Sequence, residues 1–207
     1  RYYDSDGRLW LAYSPRTGGS NSPKEQKMAE FPTELMPIDQ ITARIAAAHG
    51  RLLRAIAPLS AEQLQAPVLG EHGWSVKDVL AHLAFWDRRL LYAIDPQEWP
   101  EDEPTGAAQR SRRFPPLIAD IPYDDQWLEA VNTRIYIRNR DRDLADVRAE
   151  FDGTRGRLLA TVVSLSLHDV YDSDGLSAGL GEPFAPMLLG AYEHYDEHAE
   201  ELEAHTW

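Results

Sequence analysis

The chain has 207 residues, enough for one domain with a sizeable core and too few for two large domains with a linker. Lys and Arg total 21 against 34 Asp and Glu, a formal charge of −13; so acidic a surface repels phosphate backbones and anionic headgroups, and neither nucleic acid nor a membrane is an expected partner. The absence of cysteine removes disulfides, thiolate ligands and a thiol nucleophile, which leaves His, Asp and Glu as the strong ligand types.

No apolar run approaches the roughly 20 residues of a membrane span, and no charged-then-apolar leader is visible, so a cytoplasmic protein is expected. Residues 1–37 read as an irregular N-terminal arm or a fragment of upstream sequence, with Met28 a candidate start. "DSDG" is a turn signal, and the Gly, Ser and Pro that follow do not support a core, although "GRLWLAY" suits a short strand.

From residue 38 to 207 the pattern is that of one helical domain. Ile38, Ile41, Ile45, Ala48, Leu52, Ile56 and Leu59 recur at three and four, a first amphipathic helix closed by Pro58. "WSVKDVLAHLAFWDRRLLYAI" opens with Ser75 and Asp78 in capping-box spacing and carries Val79, Leu83, Trp86 and Leu90 on one side. These two helices are expected to pack as an antiparallel pair. Residues 95–123 hold six of the 14 prolines with no sustained period, as a long crossover does. Helix resumes in "DDQWLEAVNTRIYIRN", breaks near "RDRD" and continues in "DLADVRAEFDGTRGRLLATVVSLSL", where Asp143 and Asp146 suit an N-terminal cap. After the gap "DSDGLSAGLGEPF", a last helix runs from about Ala185 towards Ala204. The expected class is all-α, a four-helix bundle.

An internal repeat supports that architecture. "GRLLRAIAPLS" from Gly50 and "GRLLATVVSLS" from Gly156 share G-R-L-L, five variable residues and L-S. Aligning the helices that follow pairs His82 with His194 and Trp86 with His198, so two similar hairpins joined by a crossover would bring His82 and His194 to one interior.

Seven histidines are present. His49, His72, His168 and His205 read as exposed or locally satisfied, whereas His82 borders an apolar stripe. In "AYEHYDEHAEELEAH", Met187, Ala191, His194, His198 and Leu202 recur at four, three, four and four, which puts both histidines on the inward stripe and most of the carboxylates elsewhere. Three neutral imidazoles from two helices make either an open metal site or a hydrogen-bonded polar cluster, and spacing does not choose between them. Glu193 and Glu197 point partly away, as solvated residues do; Tyr192, Tyr195 and Trp86 read as packing. "YDSDG", at Tyr3 and again at Tyr171, is too short for a calcium loop and reads as a turn.

"WSVKDVLAHLAFWDRRLL" together with "YEHYDEHAEELE" resembles the DinB-like superfamily, and with "WLEAVNTRIYIRNRDRDLADVRAEF" the ClbS/DfsB branch of it, over about Ile38 to Leu202. The resemblance implies a four-helix bundle with a long crossover between its second and third helices. It also implies a divalent ion (zinc, nickel or iron) held by His82, His194 and His198. By the same resemblance the chain acts on a small electrophilic molecule, as a metal-dependent hydrolase or as a transferase using a low-molecular-weight thiol, in detoxification or self-resistance. No catalytic residue is assigned. The rival expectations are a protein that sequesters a small molecule without turnover, and a homodimer packed through its acidic helices.

Overall fold

The computed structural model describes residues 35–67, 69, 73–99 and 113–207. The chain divides into two units, Arg1–Met36 and Pro37–Trp207. The arm with its candidate strand, Met28 and first "YDSDG", and also His72, lie outside the described residues.

The second unit is helical, and among the described residues the nearest thing to a strand is one isolated bridge between Leu69 and Trp74. Its α-helices are α1 (Ile38–Ile56), α2 (Ala61–Gln65), α3 (Val76–Ile94), α4 (Trp127–Asn139), α5 (Leu144–Val163), α6 (Leu167–Tyr171), α7 (Leu176–Leu180) and α8 (Phe184–Ala204). The stripe of α1 is buried at Ile41, Ile45, Ala48, Leu52 and Ile56. At the start of α3, Ser75 accepts from the Asp78 amide while Asp78 accepts from the Ser75 amide, closing the expected capping box. Asp143 occupies the N-cap of α5 without a side-chain cap bond.

The repeated L-S has a structural meaning that its sequence did not disclose. Ser60 and Ser166 each cap a one-turn helix, α2 and α6, with Gln63 and Asp169 completing the boxes. The gap before α8 is likewise part helix, since α7 stops at Gly181 with φ of 70°, a left-handed cap that favours glycine. The second "DSDG" is a turn as read. A Cβ at Gly175 would stand 2.3 Å from the His168 carbonyl oxygen, so only glycine fits there.

The four long helices α1, α3, α5 and α8 form the bundle, but not with the expected neighbours. α1 packs along α8 and α3 along α5, while α1 with α5 and α3 with α8 close the ring. The first two long helices therefore sit across a diagonal rather than as a packed pair. Contacts fix the directions. Arg44 reaches Tyr192, and Arg51 reaches Asp196, Glu200 and Glu203, so α1 and α8 ascend together. Lys77 donates to the carbonyls of Arg140 and Arg142 while Asp87 pairs with Arg155, so α3 and α5 also run parallel. His82 meets His194 and Arg89 meets Glu182, so α3 and α8 are antiparallel. Exchanging α1 and α3 with α5 and α8 maps one parallel pair onto the other, which is the twofold relation implied by the repeat. The crossover carries its own core, in which Trp99 and Ile118 pack with Phe85 and Tyr92 of α3 and with Trp127, Val131 and Ile135 of α4.

Candidate metal centre

His82 and His194 face each other across the α3 and α8 contact, with Nε2 atoms 2.8 Å apart, and His198 Nε2 lies 3.2 Å from His194 Nε2. The structure thus brings together the three histidines that the sequence singled out. One Nε2 offers either a single N–H or a single lone pair, so His194 cannot satisfy two close ring nitrogens by hydrogen bonding. A cation shared by three lone pairs can. Tetrahedral coordination with bonds near 2.05 Å sets ligand nitrogens about 3.3 Å apart, close to the spacings found. Among the described residues these rings are the sole buried or half-buried group of this kind; His168, Asp172 and Asp174 are exposed.

The neighbours orient the rings. His198 Nδ1 lies 3.4 Å from Glu201 Oε2, and a proton held there turns the Nε2 lone pair towards the other two rings. The His82 ring packs between the indoles of Trp74 and Trp86, at centroid distances of 5.1 and 6.1 Å. A cleft of about 790 Å³ lined by residues such as Arg88, Trp99 and Arg157, and a second along α4, lie apart from this centre.

Beneath the histidines lies a buried polar group that sequence reading missed. Tyr195 donates to Asp87 Oδ2 at 2.8 Å, Arg155 pairs with Asp87 Oδ1 at 3.0 Å, and the guanidinium carbon stands 3.7 Å from the centre of the Tyr195 ring. All three residues are at most 2 % exposed. They tie α3, α5 and α8 together next to the three histidines, since Tyr195 lies between His194 and His198 in sequence and Asp87 five residues past His82. A charged residue inside a mostly apolar stretch, such as Asp87 in "LAFWDRRLL", was the available signal.

Two expectations need correction. The buried stripe of α8 passes through Leu188, Ala191, Tyr195, Ala199 and Leu202, while Met187, His194 and His198 stand at its edge, half-buried. Spacings of three and four fit two adjacent lines on one helix, and the bulky Tyr195 claimed the inner one. His49 is not an exposed residue; it packs on Phe151 and Tyr195, and its Nε2 has no hydrogen-bond partner. His168, by contrast, is exposed and bonded to Asp172, and Glu193 is exposed, as read.

Burial, together with neighbouring cationic rings, holds His82 and His194 well below 6.5; burial and Arg155 bring His49 down to about 4. Such rings take up protons more readily when unfolded, so their stabilising contribution is complete above 6.5 and is lost as pH falls below it, for His49 through about 4. Asp87 acts oppositely, because burial raises it to about 6, against the pull of Arg155 and Tyr195, and its neutralisation on acidification favours the folded state. Three rings outweigh one carboxyl. The thermal midpoint of chelator-treated protein is therefore expected to fall from pH 6.5 towards 4, and a flat profile in melts across that range would contradict the burial of these rings.

The class so far is an all-α bundle with an imidazole cluster between its second and last long helices. The family model for the mycothiol maleylpyruvate isomerase N-terminal domain matches residues 45–171, and the chain belongs to that family, a metal-binding and mycothiol-related member of the DinB-like superfamily. The matched stretch includes His82 and ends before α7, so the place of His194 and His198 rests on geometry. Comparison with curated proteins gives no match, and comparison with solved structures gives none.

Proposed function

We propose that this chain is a metal-dependent enzyme in which His82, His194 and His198 hold one divalent ion, zinc, nickel or iron. Its substrate is a small electrophile, which it opens by hydrolysis or joins to a low-molecular-weight thiol, a reaction suited to detoxification or self-resistance. The observation that carries this reading is the convergence of three Nε2 atoms that cannot all be satisfied by one another. When bound, such an ion lowers the pKa of a water or a thiol towards neutrality and so supplies a nucleophile to a chain without cysteine.

The protein's own residues have separable tasks. Glu201 orients His198; the pair of Asp87 and Tyr195 fixes α8 against α3; Trp74 and Trp86 wall the His82 side against water. The mycothiol-related family favours a thiol as co-substrate, whereas the ClbS/DfsB-like segments favour hydrolysis. Metal content of purified protein, followed by consumption of a haloalkane probe with and without thiol and chelator, tests the reading. Protein that carries no stoichiometric metal sinks it.

Glu201→Gln is expected to weaken metal binding by about 10- to 100-fold, as losing the outer partner of a ligating imidazole does. Competition titration against a chromogenic chelator measures this. The two indoles beside His82 favour a second reading, a pocket that shields a ring-bearing molecule without turnover. One ligand protected per chain, with no dependence on metal, is its signature.

A further inference from the structure

Gly190 stands inside α8, where glycine is among the least favourable residues and alanine the most favourable. Close packing does not account for it. A Cβ built at Gly190 would have no described atom within 4 Å, whereas Gly50 on α1 already faces Arg54 at 3.4 Å. Gly153 and Gly156 of α5 are equally open, but both are exposed to solvent. Gly190 is half-buried, between the buried Leu189 and Ala191.

Its place is set by the contact of His82 with His194. Trp86 follows His82 by four residues and Gly190 precedes His194 by four, so on two antiparallel helices joined at those imidazoles both stand at one level, about 6 Å along the bundle from the ring contact. Trp86 is partly exposed, and its ring centre lies 6.1 Å from that of His82 and 6.1 Å from that of Trp127 on α4. α4 and α8 flank α3 and, among the described residues, do not pack along each other. The line from His82 to Trp86 is thus the floor of a groove, with Trp127 on one wall and the bare backbone of Gly190 on the other.

We propose that Gly190 keeps open a slot beside the three histidines, opposite Trp86, that takes the flat, ring-bearing part of a substrate and so determines specificity. That the reacting end of this substrate lies at the histidines rests on the metal-centre reading; the slot itself does not. A glycine lets a ring approach the helix backbone closely, and the indole supplies an aromatic partner across from it. A side chain at position 190 would project into the same space, on the face that carries His194.

Benzohydroxamate and acetohydroxamate, one metal-binding group with and without a ring, are the probes, titrated into metal-loaded and metal-free full chain and followed by tryptophan fluorescence. Benzohydroxamate is expected to bind metal-loaded protein about tenfold or more tighter than acetohydroxamate, and Gly190→Leu to remove that preference with metal stoichiometry unchanged. Metal-free protein is expected to keep a weaker affinity for benzohydroxamate alone. Gly190→Ala is expected to raise the thermal midpoint by about 2–4 °C, because its methyl group meets open space and alanine is the better helix former. Gly190→Met repeats the titration if Gly190→Leu does not fold. A ring preference that survives in the folded variant, or is missing from the wild type, overturns the slot. So does a lower midpoint for Gly190→Ala, which would mean that another segment of the chain already fills the space. Protein that takes up no metal, yet binds benzohydroxamate and loses it with Gly190→Leu, overturns the metal centre and leaves the slot standing.

Discussion

His194→Ala is expected to abolish the stoichiometric metal binding proposed for the three histidines while the bundle stays folded. His194 is the middle member, within 3.2 Å of both other Nε2 atoms, so its loss leaves two ligands on different helices with no third to hold the ion. Removing an outer partner of a ligand costs about 10- to 100-fold in affinity, and losing a ligand itself is expected to exceed that range. Stability is expected to change little, because the ring is only half-buried and its removal relieves the crowding of imidazoles. His82, at 4 % exposure, is the poorer choice, since truncation there opens a cavity between Trp74 and Trp86. Elemental analysis of wild type and variant, beside their thermal midpoints, separates a lost ligand from a lost fold. Wild-type metal content in a folded His194→Ala protein would refute the assignment.

The largest effect on stability is expected at Asp87. Asp87→Ala strands Arg155, 1 % exposed, as an unpaired charge in the core and frees the Tyr195 hydroxyl from its acceptor. Breaking one side of a buried ion pair costs about 3–5 kcal/mol, which for a domain of this size lowers the midpoint by about 10 °C. Replacing both partners by apolar residues, Asp87→Leu with Arg155→Met, is expected to recover most of the loss, because the desolvation cost of the pair goes with it. Calorimetry on the two singles and the double closes this cycle. A double variant as unstable as the sum of the singles would mean that the pair contributes through shape rather than charge.

Periodicity was a sound guide to where the helices lie, because burial of one face imposes its spacing on the residues. The stripe of α1 and the capping box of α3 are local facts, and both stand in the fold. The diagonal placing of α1 and α3 was not legible, since it depends on which partner each stripe meets and no local spacing records that. The same holds for Asp87, Arg155 and Tyr195, three residues from three helices whose complementarity exists only after packing. The histidine trio lay between these cases. Repeat and spacing named its members, but α8 turned out one line over, with Tyr195 inward and its two imidazoles at the margin of the buried stripe.

The parallel run of α1 beside α8 also bears on how the molecule is made. Arg51 finds its carboxylate partners 145 to 152 residues later in the chain. During synthesis the apolar stripe of the first helix therefore has to wait for the last one to emerge, without the hairpin partner that an up-and-down bundle would supply at once. Such distant pairing slows folding relative to bundles built from sequential neighbours. Because α8 also carries two of the three imidazoles, the closing of the bundle and the completion of its centre become the same event.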